Sequence, residues 1–101
     1  MAPIVIGDLR IDRGRLRVTV QDREVPLSPT EYRLLCQLAS LPGGIQTHKM
    51  LLQSVWGEAY SDESEYLHVY IGRLRNKIEA DPANPAYLST VHGIGYRLRE
   101  P

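Results

Sequence analysis

Residues 65–99 read EYLHVYIGRLRNKIEADPANPAYLSTVHGIGYRLR, and this stretch decides the fold. Its first half, EYLHVYIGRLRNKIEA, has helical spacing. At ~100° per residue, Leu67, Ile71, Leu74 and Ile78 share one narrow arc, a stripe built to face a core. The opposite arc holds Glu65, Val69, Gly72, Arg73 and Asn76. Its second half predicts two short strands, Tyr87–Val91 and Tyr96–Arg99, around a corner at His92-Gly93-Ile94-Gly95. A helix with one dry and one wet face, followed by a thin hairpin, has the parts to grip a DNA duplex twice.

Working back along the chain, Ser61 is the predicted cap of this helix. Asp62 and Glu63 in the first turn and Arg73 to Lys77 at the far end suit its dipole. Asp81-Pro82 is the predicted stop, because a residue before proline avoids the helical region. A second helix is predicted from a Thr47 cap, with Met50, Leu51, Leu52, Val55 and Trp56 apolar and Gly57 ending it. Ser28-Pro29-Thr30-Glu31 is the start of another. Ser28 can cap a backbone amide while Glu31 reaches back, and Pro29 needs no donor at the first helical position. Its apolar stripe is Leu34, Leu35, Leu38 and Leu41, and Pro42-Gly43-Gly44 stops it.

The first quarter alternates instead. Leu16, Val18 and Val20 face one way, with Arg15, Arg17, Thr19 and Gln21 between them. Ile4-Val5-Ile6, Leu9 and Ile11 precede this strand, and Val25 and Leu27 follow a turn at Asp22-Arg23, giving three or four short antiparallel strands over residues 4–27. The order is sheet, three helices, hairpin: an α+β chain with room for one domain over residues 1–101. Short connections place the second and third helices as a helix-turn-helix with a longer loop than usual.

Composition excludes more than it selects. No apolar run is long enough to span a bilayer, and no signal peptide is visible. The 12 basic and 12 acidic side chains cancel, which argues against a non-specific cationic DNA coat but not against a site-specific reader. Cys36 is the single cysteine, lies among leucines and reads as a buried thiol, which fits a reducing cytoplasm. His48, His68 and His92 stand on separate elements without metal spacing, and Glu65-x-x-His68 is too common to imply one. No nucleophile has a base and an orienting partner, so no enzyme, cofactor or metal is expected.

The candidate contacts therefore lie on the third helix and the hairpin. Val69 is an apolar residue on the wet face. It is either a stray surface valine or a contact to a thymine methyl, and Arg73 one turn later favours the second. Arg73 has the geometry for a bidentate contact to guanine O6 and N7. Arg75 and Lys77 lie further round, to reach phosphates or to compensate the helix end. Tyr66 and Tyr70 either donate to phosphate or pack at the helix edge. Gly72 costs about 1 kcal/mol relative to alanine, which close approach to a backbone or plain drift would explain. Thr90 can bond a phosphate, and His92 at the hairpin tip can enter the minor groove, where arginine is the usual reader.

These residues resemble the effector domain of two-component response regulators of the OmpR/PhoB winged-helix family. The likeness is carried by Leu27-Ser28-Pro29-Thr30-Glu31-Tyr32-Arg33-Leu34-Leu35, by Leu51-Leu52 with Val55-Trp56-Gly57, by Val69-Tyr70-Ile71-Gly72-Arg73-Leu74-Arg75-Asn76-Lys77, and by Thr90-Val91-His92-Gly93-Ile94-Gly95-Tyr96-Arg97. It implies a winged helix-turn-helix: a four-stranded N-terminal antiparallel sheet, three helices and a C-terminal β-hairpin wing. It also implies sequence-specific double-stranded DNA binding and transcription regulation, with Val69 and Arg73 on base edges. Trp56, Tyr70, Arg75 and Thr90 would lie on the backbone, and Tyr96 joins the expected contact set. A packed Trp56 is the equal alternative.

The resemblance further implies direct-repeat sites bound by a head-to-tail dimer, a loop at residues 57–62 that touches RNA polymerase, and a receiver domain answering to a sensor kinase. No receiver with its phospho-accepting aspartate lies in this sequence, so the chain is expected to be the isolated effector half. Within the family, Tyr66-Leu67-x-Val69-Tyr70-Ile71-Gly72 and Asp81-Pro82-Ala83-x-Pro85 are similar to regulators of potassium-transport operons. Many relatives carry arginine where this chain has Glu65, Gly72 and His92, which implies fewer phosphate contacts here. The rival is a winged-helix protein-interaction module that leaves DNA alone, a reading that the neutral charge and Glu65 favour.

Overall fold

The computed structural model describes residues 2–101; Met1 lies outside the described residues. Four strands come first: β1 Ile4–Ile6, β2 Leu9–Asp12, β3 Arg17–Val20 and β4 Arg23–Glu24, paired antiparallel in that order. Ile4 opposes Ile11, Ile6 opposes Leu9, and Ile11 opposes Val18, so alternation sends Ile6, Leu9, Ile11 and Val18 inward. Leu16 does not belong to this stripe. It sits before β3 with a φ of 53° and is 74% exposed. The β3–β4 turn falls at Gln21-Asp22 rather than Asp22-Arg23. Both residues have positive φ, 51° and 63°, as a tight hairpin turn requires.

Helix α1, Pro29–Ala39, starts with the expected capping box. Ser28 Oγ accepts from the Glu31 amide at 3.2 Å, and Glu31 Oε1 accepts from the Ser28 amide at 2.9 Å. Leu34, Leu35 and Leu38 are buried, but the helix closes at Ser40, so Leu41 lies beyond it and is exposed. Cys36 is half-buried against the core; burial pushes its thiol up, partly offset by a hydrogen bond to Tyr32. Helix α2, His48–Val55, is capped by Thr47, whose hydroxyl accepts from the Met50 amide at 3.1 Å. Leu51, Leu52 and Val55 face the core, and Met50 faces solvent.

Helix α3, Ser64–Ile78, departs from expectation at both ends. Its cap position is Glu63, without a side-chain bond. Ser61 instead closes a 3-10 turn over Glu58–Tyr60, and Asp62 and Glu63 precede the helix. At the other end the chain leaves the helix at Glu79, whose ψ is 138°, before Pro82 is reached. The reason is tertiary. The buried Glu79 carboxylate accepts the amides of Ala86, Tyr87 and Leu88 at 2.7 to 3.3 Å, closing the intervening loop onto the helix end.

Two strands form the wing, β6 Leu88–Val91 and β7 Gly95–Leu98. A short strand before α2, β5 Gln46–Thr47, pairs with β7 on its other edge. Gly93 turns the tip with a φ of 75°. Gly95 serves a different need: a Cβ there would stand 1.9 Å from the Gln46 carbonyl oxygen. The core joins the inner sheet face to Leu34, Leu38, Leu52, Leu67 and Ile71 of the helices and to Leu88 and Leu98 of the wing.

Candidate nucleic-acid interface

The two faces of α3 separate as its spacing implies. Leu67, Ile71, Leu74 and Ile78 are buried, each at most 1% exposed, whereas Val69 is 48% exposed. Glu65, Arg73 and Asn76 share Val69's exposed side of the helix. Val69 and Arg73, one turn apart, thus form an accessible pair. Gly72 has nothing within 4 Å of where a Cβ would stand, so no neighbour within the molecule demands glycine there.

Beside this pair lies an aromatic cluster. Trp56, which follows α2 and packs partly buried against the core, meets the Tyr66 ring at 5.3 Å and the Tyr70 ring at 5.1 Å. Both contacts are edge-to-face, the arrangement that ring quadrupoles favour. Tyr60 stacks on Tyr66 at 5.9 Å. Tyr60 is not among the duplex contacts expected from the sequence, since its loop is expected to touch RNA polymerase instead. The Arg73 guanidinium lies 4.9 Å from the centre of the Tyr70 ring. Trp56, Tyr66, Tyr70 and Arg73 are thereby one packed group.

The remaining candidates divide. Arg75 bridges α3 and the wing: its Nε donates to the Leu88 carbonyl at 3.0 Å and its Nη2 to the Thr90 hydroxyl at 2.7 Å. Thr90 and His92 are exposed on the wing strand and its tip. Lys77 does not join the exposed stripe; its Nζ donates to Glu31 at 2.6 Å, beneath the start of α1. Tyr96 does not join it either. It is 5% exposed, with its ring 5.6 Å from that of His48 and 5.9 Å from the Arg75 guanidinium. Burial pushes its hydroxyl up in pKa, and Arg75 offsets part of that rise. Among the described residues no group of three or more His, Cys, Asp or Glu side chains converges to hold a metal ion, and no helix is long and apolar enough to cross a membrane.

Residues 22–98 match the family described as "Transcriptional regulatory protein, C terminal". The chain belongs to this family, that of the DNA-binding winged-helix domains of OmpR/PhoB-type response regulators. MtrA, a DNA-binding response regulator of Mycolicibacterium smegmatis, is 40% identical over 96 residues, which cover 95% of this chain and 42% of MtrA. KdpE, the KDP operon transcriptional regulatory protein of Escherichia coli, is 41% identical over 97 residues, covering 95% of this chain and 43% of KdpE. Among solved structures, the RstA DNA-binding domain of Klebsiella pneumoniae, crystallised with the RstA box, superposes with a TM-score of 0.89 at 29% identity, over 98% of both chains. DrrB of Thermotoga maritima, an OmpR/PhoB homolog, superposes with a TM-score of 0.88 at 30% identity, over 96% of this chain and 44% of DrrB. This winged-helix domain therefore spans less than half the length of the curated relatives named here.

Proposed function

We propose that this domain is the DNA-reading effector half of a two-component response regulator. Helix α3 enters the major groove, with Val69 on a thymine methyl and Arg73 on guanine O6 and N7. The wing reaches the minor groove with His92, and Thr90 meets a phosphate. The observation that carries this reading is the separation of α3 into a fully buried stripe and an exposed one bearing Val69 and Arg73. Such a helix offers base-reading chemistry on a rigid support, and its contacts suit recognition rather than catalysis.

Finer features of the proposal rest on what the family resemblance implies. The full-length protein would join this domain to a receiver answering to a sensor kinase in the cytoplasm, and would bind direct repeats head to tail. The loop at residues 57–62, with Glu58, Tyr60 and Asp62 exposed, would meet RNA polymerase. Control of a potassium-transport operon is one candidate role. It has no advantage over others, since KdpE and MtrA are matched at 41% and 40% identity.

Selection of bound duplexes from random sequence, at low and at moderate salt, tests the central reading. Enrichment of a motif containing a guanine whose preference is lost in Arg73→Ala supports it. No enrichment at either salt would transfer the case to a protein-interaction module.

A further inference from the structure

Arg73 is exposed on α3, yet it is not loose. Its guanidinium lies over the face of Tyr70. Tyr70 is itself fixed, with Trp56 edge-on at 5.1 Å and Tyr66 tilted against it at 5.5 Å. Trp56 ties the group to the core. Among the described residues Arg73 has no ion pair and no hydrogen bond of its own, so its donor fork remains open to a ligand. A long side chain normally loses rotamer freedom when it makes a bidentate contact. Stacking on a fixed ring takes up part of that loss before the ligand arrives.

We propose that Tyr70 is a positioning residue: its ring presents the Arg73 guanidinium to a guanine edge, and its hydroxyl is not a phosphate contact. This inference rests on α3 being the DNA-reading helix. It assigns Tyr70 a part in base specificity, through the face of the ring, rather than in backbone affinity. Trp56 and Tyr66 act one step further back, by holding the plane of that ring.

The two roles separate in substitution at position 70. Motif selection with the unaltered domain locates the guanine, and competition between duplexes differing at that base then measures preference. Tyr70→Phe keeps the ring and loses the hydroxyl, and is expected to keep the preference. Pentafluorophenylalanine at position 70 keeps the shape but reverses the ring quadrupole. It is expected to lower preference for guanine at that base roughly two- to five-fold, the effect of an exposed cation–π contact, with other positions unchanged. Tyr70→Leu is expected to do the same where it folds, and the fluorinated ring decides the matter where it does not. Uniformly weaker binding by Tyr70→Phe, with base preference intact, would overturn the proposal in favour of a phosphate contact. So would full guanine preference with the fluorinated ring. Absence of any motif with the unaltered domain removes the DNA reading itself, and this inference with it.

Discussion

Lys77 Nζ and the Ser28 amide share one acceptor, Glu31 Oε1, at 2.6 and 2.9 Å. A single carboxylate therefore closes the start of α1 and holds the last turn of α3, which lies 46 residues away. Burial alone would raise the Glu31 pKa, but the bonds from Lys77 and Ser28 outweigh it and hold the carboxyl below its ordinary value. Lys77 thus braces the end of α3 against the start of α1.

Stability should follow this carboxylate in acid. A group whose folded pKa lies below its unfolded value contributes stability that is present above the unfolded value and lost as pH falls through the folded one. The unfolding free energy should therefore decline below about pH 4.5. Glu31→Gln keeps a capping acceptor and should flatten that decline in denaturant melts. Lys77→Met should cost about 1–3 kcal/mol at neutral pH, at the lower end because Lys77 is 38% exposed. Its salt dependence of DNA binding should be unchanged. A loss of roughly 0.9 in the slope of log affinity against log salt would instead mark Lys77 as a phosphate contact.

Arg75 should matter to the wing more than to any one base. Its two bonds, to the Leu88 carbonyl and the Thr90 hydroxyl, fix β6 against α3. Arg75→Met should lower stability by about 1–2 kcal/mol and speed amide exchange in β6 and β7. Lysine should not rescue it, because an ammonium cannot reproduce two bonds from a planar fork. Unaltered exchange in the wing strands would show the link to be incidental.

Two glycines should respond in opposite directions. Gly95→Ala drives a methyl into the backbone of the neighbouring strand, 1.9 Å from the Gln46 oxygen and 2.8 Å from the Thr47 Cα. Neither atom can yield alone, so a loss of at least about 3 kcal/mol is expected. Gly72→Ala meets open space in mid-helix and should gain about 1 kcal/mol. That gain should raise Tm by roughly 4–8 °C. If DNA affinity falls while Tm rises, the glycine is there for the ligand's approach. If both rise, it is dispensable.

What could be read from the sequence was local. The Ser28–Glu31 capping box and the Thr47 cap are contacts within three residues, and the buried face of α3 follows from spacing alone. Tertiary contacts are what spacing cannot foresee. Ser61 looked like a cap, but its amide closes the 3-10 turn on the Glu58 carbonyl. Glu79 ends α3 early because it serves amides seven to nine residues on. The bond from Lys77 to Glu31 spans 46 residues of sequence. Tyr96 meets His48 only through the pairing of β7 with Gln46–Thr47. At the site, residue types and the exposed stripe were legible, whereas the ring cluster that holds Arg73 was not. Its members come from α3, the end of α2 and the 3-10 turn between them, and their geometry depends on how those pack.

The wing tip offers a gain-of-affinity test. His92 is exposed, on a corner held by Gly93 at a φ of 75°, and a Cβ at Gly93 would have nothing within 4 Å. The corner is therefore roomy, and a longer side chain at position 92 disturbs no packing. Arginine is the residue that reads a narrow minor groove most effectively, through its permanent charge. His92→Arg should leave stability within about 0.5 kcal/mol of the unaltered domain. It should tighten binding and steepen the slope of log affinity against log salt by about 0.9, one added phosphate neutralised. The bases preferred by α3 should not change, because the major-groove contacts are untouched. Titrations of both proteins against the selected duplex at several salt concentrations measure all three quantities. An unchanged slope would mean that the tip stays clear of the duplex, and α3 would then carry recognition without the wing.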